Sequence, residues 1–140
     1  MEHNDTRVPV GRMAPEALRE FGTRVLGSLG VPAADSALVA DSLVQADLWG
    51  HQSHGLLRLP WYAARLRSGA MRAVTDPAVL ADTGPLALLD GRDGIGQVLT
   101  ERARRLAVDR ARTHGVGVVG APSGVSAQVS GIASPRFSAR

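Results

Sequence analysis

The sequence predicts a mixed α/β (α+β) fold, with an N-terminal segment of three helices followed by short strands and one long helix. Apolar residues recur at helical spacing through the first half of the chain. After Gly69 that spacing gives way to short apolar runs divided by turn residues, and an amphipathic stretch separates these from a last apolar run, GVGVVG. At 140 residues and 44% hydrophobic composition, the chain suffices for one cored domain and is short for a nucleotide domain plus a separate substrate domain.

Residues 1–12 read as a flexible leader. PEALREFGTRVLGSL then places Leu18, Phe21, Val25, Leu26 and Leu29 on one helical face, with Pro15 suited to a first position and Gly30 to a stop. A second helix follows Pro32, with a stripe of Ala37, Leu38, Ala40, Leu43, Val44, Ala46 and Leu48 closed by Gly50. After the loop HQSHG, the segment LLRLPWYAARLRSG aligns Leu56, Leu59, Tyr62, Ala63 and Leu66, with Pro60 in the first turn or kinking it. These three helices make up a segment over 13–68.

The span 69–120 reads as the start of a mixed α/β part. AVLADTG and PLALLDG are two strands joined at Thr83-Gly84-Pro85, and after the turn GRDGIG a helix runs from about Gln97 to Thr113. Its inward residues are Val98, Ala103, Leu106, Ala107 and Ala111, and the strand GVGVVG follows His114-Gly115. The stretch 121–140 holds five serines, no acidic residue and no period of either kind, so it reads as a disordered tail.

Composition narrows the chemistry. The chain has no cysteine and all sixteen positive charges are arginine, which excludes disulfides, thiolate chemistry, a Schiff base and a phosphate-loop lysine. The isoelectric point near 10.9 reflects how high arginine titrates, since the net charge is only +3. The densest arginine cluster, Arg102, Arg104, Arg105, Arg110 and Arg112, is interleaved with Glu101 and Asp109, which predicts a solvated helix face rather than a nucleic-acid stripe. With no apolar run of membrane-spanning length and no signal-peptide core, a soluble cytoplasmic protein is expected.

The stretch ADLWGHQSHGLLRLPWYAARLRSG carries the chemistry. His51, Ser53 and His54 lie in a glycine-bounded loop between two helices, free of either core face. If the third helix begins near Gly55, His54, Arg58 and Tyr62 fall at steps of four and project from one side. His51 and His54 also have the spacing of a metal pair, but no third ligand is nearby, and no metal is expected. His51 and His114 each suit the negative end of a helix dipole. Gly91, Gly94 and Gly96 evoke a dinucleotide fingerprint without its third glycine at the required spacing, so they read as turn glycines with positive φ.

These residues resemble the type 2 malate/L-lactate dehydrogenases. The resemblance rests on the GHQSHG loop after a helix ending ADLWG, on LLRLPWYAARL behind it, and on DGRDGIGQ with the following helix and GVGVVG. It implies a non-Rossmann fold and NAD(P)-dependent interconversion of a 2-hydroxy acid and its 2-keto counterpart. His54 matches the family's second loop histidine and would move the hydroxyl proton, for which an imidazole serves in both directions. Ser53 would orient that imidazole or bind substrate, and Arg58 has the planar fork for the substrate carboxylate. Tyr62 falls where some members place a tyrosine in the pocket, and Gly96 and Gln97 are the cofactor-side candidates for NAD or NADP. A homo-oligomer, or pairing with an intact homologue, is the implied assembly.

Complete members follow the GVGVVG strand with an Asn-x-x-His-Phe-Gly type motif, whereas here APSGVSAQVSG follows and no histidine comes after His114. The sequence is therefore expected to be a truncated copy whose family register ends near Gly120. An inactive interaction module pairing with a full-length homologue is the alternative. Either way, the Val116–Val119 strand and the 98–111 helix are expected to leave apolar surface uncovered.

Overall fold

The computed structural model describes residues 11–123 and 126–133. Most of the expected leader and the end of the expected tail, 134–140, lie outside the described residues. Helix α1 spans Pro15–Ser28, α2 Ala33–Leu48 and α3 Leu59–Ser68. Strands β1, Ala78–Asp82, and β2, Leu86–Asp90, precede the long helix α4, Gly96–His114, and strands β3, Gly117–Ser123, and β4, Ser126–Ala133, follow it.

Helices α1 and α2 cross closely because Gly22 carries no side chain: a Cβ there would stand 3.0 Å from Ala40 Cβ. This contact rotates α1 relative to the expected face. Gly22 and Leu26 are its buried residues, while Phe21 is 47% exposed at the edge. On α2 the buried set is Ser36, Val39, Ala40, Leu43 and Val44, and Leu48, assigned inward by periodicity, is 55% exposed past the end of the contact. The buried Ser36 hydroxyl donates to the Val31 carbonyl at 3.1 Å, so a polar group inside the core is satisfied. Pro60 occupies the first turn of α3 without kinking it, and Gly69, at φ +75°, ends the helix.

The sheet has the order β1-β2-β3-β4. β1 and β2 form an antiparallel hairpin closed by the Thr83 N–H on the Leu86 carbonyl at 2.9 Å, with Gly84 at φ +77°. β2 and β3 run parallel, joined through α4, and β3 and β4 run antiparallel. β4 lies within the stretch expected to be a disordered tail. That expectation is corrected for the described part of 121–140: Ser126–Ala133 pairs antiparallel along β3, which supplies the partner that its own composition does not announce.

Two apolar clusters result. Leu26, Val31, Val39, Leu43, Leu59, Met71, Ile95 and Val98 fill the space among the helices. Ala87, Leu89, Leu99, Ala103, Ala107, Val119 and Ala121 fill the layer between α4 and the sheet. The apolar side of α4 is thus covered, contrary to the expectation that it would lie bare. Of the stretch expected to lie bare, Val116 is exposed and Val119 is buried, and further exposed apolar residues fall on β1 and on the opposite side of β2: Val79, Leu80, Leu86 and Leu88.

The turn after β2 also differs from expectation. The positive φ values belong to Arg92 (47°) and Asp93 (59°), not to Gly91, Gly94 or Gly96. The Asp90 carboxylate accepts the Arg92 N–H at 2.9 Å and holds this left-handed turn. Gly94 is needed for space, since a Cβ there would lie 2.6 Å from Thr75 Cγ2.

The arginines of α4 are largely matched by carboxylates. Arg104 and Arg105 both bond Glu101, Arg112 pairs with Asp109, Arg102 reaches Asp35, and Arg110 forks onto Asp82 and the Gly84 carbonyl. The Arg110 guanidinium holds the Asp82 carboxyl below its ordinary range. The hydrogen bonds from Arg104 and Arg105 hold Glu101 at about 2 against an ordinary 4.5. A carboxyl depressed on folding adds stability that is complete above its unfolded value and fades as pH falls toward the folded one. The Glu101 contribution should therefore fade between pH 4.5 and about 2. Glu101→Gln should lower neutral-pH stability by about 1 kcal/mol, less in high salt because both arginines are well exposed. The difference from the parent should vanish only below about pH 2, as read by urea unfolding across pH. Among the described residues, no helix is long and apolar enough to cross a membrane.

Candidate active site

The chemistry-bearing loop is shaped by how α2 stops. Gly50 takes φ +78° and turns the chain back, so that the His51 N–H bonds the Ala46 carbonyl at 2.8 Å. Two single turns of 3-10 helix follow, Gln52–His54 and Leu56–Arg58, before α3 begins at Leu59. The helix therefore starts later than Gly55, and the step-of-four alignment of His54, Arg58 and Tyr62 does not hold as a helical face. A 3-10 turn advances by three residues rather than 3.6, which rotates Arg58 away from that register.

Ser53, His54 and Arg58 nonetheless come together. Ser53 Oγ lies 2.9 Å from His54 Nδ1, and Arg58 Nε donates to the Ser53 carbonyl at 2.6 Å. The His54 N–H bonds the His51 carbonyl at 2.9 Å, and the His51 ring meets the His54 ring edge-on with centroids 5.9 Å apart. All four side chains are exposed. Tyr62 belongs to a second group: its hydroxyl oxygen accepts from Gln97 Nε2 at 2.6 Å, and its ring stands edge-on to Trp61. No hydrogen bond among the described residues joins this pair to the His54 group. Nor does any group of three His, Cys, Asp or Glu side chains among the described residues have the arrangement to hold a metal ion.

The Gly91–Gly96 turn lacks the features of a diphosphate cradle. Its amides are used internally: Arg92 N–H on Asp90, Gly94 N–H on the Gly91 carbonyl and Ile95 N–H on Thr75 Oγ1, each at 2.9 Å. Gly91 and Gly94 are buried. Of the two cofactor-side candidates, Gln97 is engaged by Tyr62 and Gly96 faces open space.

Asp47, in the last turn of α2, and Gly55, in the loop, have roles that sequence spacing did not reveal. Asp47 Oδ2 accepts the Leu56 N–H at 2.9 Å, and Gly55 packs directly against that carboxylate. The available signal was electrostatic, since an acid in the last turn of α2 sits at the wrong end of the helix dipole.

A family profile described as malate/L-lactate dehydrogenase matches residues 13–134, which carries the correspondence past Gly120 through β4. The chain is 40% identical over 119 residues to malate dehydrogenase of Pyrococcus horikoshii, covering 85% of this chain and 32% of that protein. It is 39% identical over 109 residues to L-sulfolactate dehydrogenase of Methanothermobacter thermautotrophicus, covering 78% and 32% respectively. The solved structure of the Pyrococcus horikoshii enzyme superposes with a TM-score of 0.77 over 79% of this chain and 32% of that one. The chain thus spans about a third of the length of the relatives it matches, and with the profile match running over residues 13–134 it belongs to the malate/L-lactate dehydrogenase family.

Proposed function

We propose that this chain carries the proton-transfer and carboxylate-binding part of a site that interconverts a 2-hydroxy acid and its 2-keto counterpart. The supporting observation is the Ser53–His54–Arg58 group, in which an imidazole is held at Nδ1 by a hydroxyl while an arginine is fastened to the same serine's carbonyl. Oxidation of the alcohol needs a base. When His54 Nδ1–H donates to Ser53 Oγ, the Nε2 lone pair is free to take the hydroxyl proton. In reduction the imidazolium returns that proton to the developing alkoxide, and Ser53 accepts from Nδ1 in both directions. Arg58 spends Nε on Ser53, leaving the Nη1 and Nη2 donors for a bidentate bond to the substrate carboxylate. Because Gln97 donates to the Tyr62 oxygen, the Tyr62 hydroxyl proton remains available for the bound acid.

Malate and sulfolactate, named for the relatives, are both 2-hydroxy acids with a second anionic group, and either class suits an arginine-held substrate. NAD or NADP, proposed from family membership, supplies or accepts the hydride when bound. The described residues build no cradle for its phosphates, so the hydride step is not assigned to them. A homo-oligomer in the cytoplasm is the proposed setting, on the resemblance.

The test is a titration of the isotope-labelled chain with oxaloacetate, followed by NMR at the His54 ring and Arg58 Nε. Saturable changes at both, lost in Arg58→Ala and absent with acetone, are the expected result. An equal response to acetone, or none to the acid, overturns the reading.

A further inference from the structure

We infer that Asp47 is the positioning residue of the His54 loop. The inference deepens the functional reading above and rests on it for its meaning in catalysis. Placed in the last turn of α2, the Asp47 carboxylate faces the negative end of the helix dipole, so its position calls for a compensating interaction. It makes that interaction across nine residues, where Oδ2 accepts the Leu56 N–H at 2.9 Å. Leu56 begins the second 3-10 turn and Gly55 separates it from the first, so the bond falls on the joint between the turn bearing Ser53 and His54 and the turn bearing Arg58.

Gly55 shows how tightly the joint is closed. Its φ of −86° and ψ of −157° are open to ordinary L residues, so backbone conformation does not demand glycine. The carboxylate does: a Cβ on Gly55 would lie 1.8 Å from Asp47 Oδ1 and 2.3 Å from Cγ. Asp47 and Gly55 form a clamp, one supplying the acceptor and the other the space. Downstream, the Arg58 N–H bonds the Gly55 carbonyl at 2.9 Å while its Nε returns to the Ser53 carbonyl at 2.6 Å. The clamp therefore sets where the cation stands relative to the proton-transfer ring. Leu56, half-buried against the helical core, anchors the far side.

The test reads the ring nitrogens of His54 by NMR in the unliganded chain, with Ser53→Ala as the reference for a ring that has lost its Nδ1 partner. Asp47→Ala should move the His54 signals toward that reference, and Asp47→Asn, whose amide oxygen still accepts, should restore most of the parent signature. Gly55→Ala should disturb His54 in the parent background and add nothing further in the Asp47→Ala background, the non-additivity expected of a shared contact. Unchanged His54 signals in Asp47→Ala, or an equal effect of Gly55→Ala with and without Asp47, overturns the inference. If Asp47→Ala fails to fold, Asp47→Asn and Gly55→Ala decide it: parent-like His54 signals in Asp47→Asn with displaced ones in Gly55→Ala support the clamp, and His54 signals at the Ser53→Ala reference in Asp47→Asn, or unchanged in Gly55→Ala, overturn it. Because no substrate enters this measurement, its failure is distinct from a failed oxaloacetate titration.

Discussion

Replacing Gly117 with alanine is expected to destabilise the fold by about 3 kcal/mol or more, the upper range for forcing atoms into a packed interior. Gly117 opens β3 where the strand runs against the backbone of α4. A Cβ there would stand 2.0 Å from the Ala107 carbonyl oxygen and 2.9 Å from the Ala111 nitrogen. Neither is the end of a flexible side chain. To make room, α4 must lift from the sheet, which loosens Ala103, Ala107 and Ala111, all buried. Against a total stability of about 5–15 kcal/mol for a domain, that loss is severe. Urea unfolding measures it, and Gly27→Ala on the exposed side of α1, where nothing lies within 4 Å, is the contrasting case. That change should stabilise by about 0.5–1 kcal/mol, because alanine replaces glycine inside a helix. A Gly117→Ala chain as stable as the parent would contradict the close packing of β3 on α4.

His54→Ala is the substitution with the largest expected effect on chemistry. In the proposed reaction it removes the group that takes and returns the hydroxyl proton, and turnover of the 2-keto acid should fall about 10²- to 10⁴-fold. The His54 side chain is exposed and its described hydrogen bond is to Ser53, so the unfolding transition should stay within about 0.5 kcal/mol of the parent. Ser53→Ala should have a smaller effect in the same direction, since the ring remains and only its orientation is released. The check is the rate of nicotinamide oxidation with oxaloacetate, measured in the proposed homo-oligomer once a titration has established that the parent binds the nicotinamide, set beside the unfolding curve of each variant. A decline of less than tenfold in a folded His54→Ala chain would remove the histidine from the reaction.

Much of the fold was legible because local signals and tertiary packing agree. The helical period of α2, the latter part of α3, the turn at Thr83-Gly84-Pro85 and the long amphipathic α4 all lie where the residues point. Disagreements arise where a long-range contact overrides a local one. Gly22 against Ala40 turns α1 enough to expose Phe21, a contact that neither residue announces in sequence. β4 is composed largely of serine, glycine and alanine, and its strand character comes from the partner β3 rather than from its own pattern. The left-handed turn fell on Arg92 and Asp93 because the Asp90 side chain supports it, while the neighbouring Gly94 is kept small by Thr75.

The site was legible in part for the same reason. Ser53, His54 and Arg58 are near in sequence and meet in space through bonds within five residues. Asp47 reaches the loop across nine residues and Gln97 reaches Tyr62 across 35, distances over which sequence spacing carries no geometry.

The two apolar clusters meet at consecutive residues of α4: Val98 faces the helices and Leu99 faces the sheet. A single turn of helix is thus a common wall of both compartments. The two halves of the chain consequently share one wall, and they are expected to unfold together rather than one after the other.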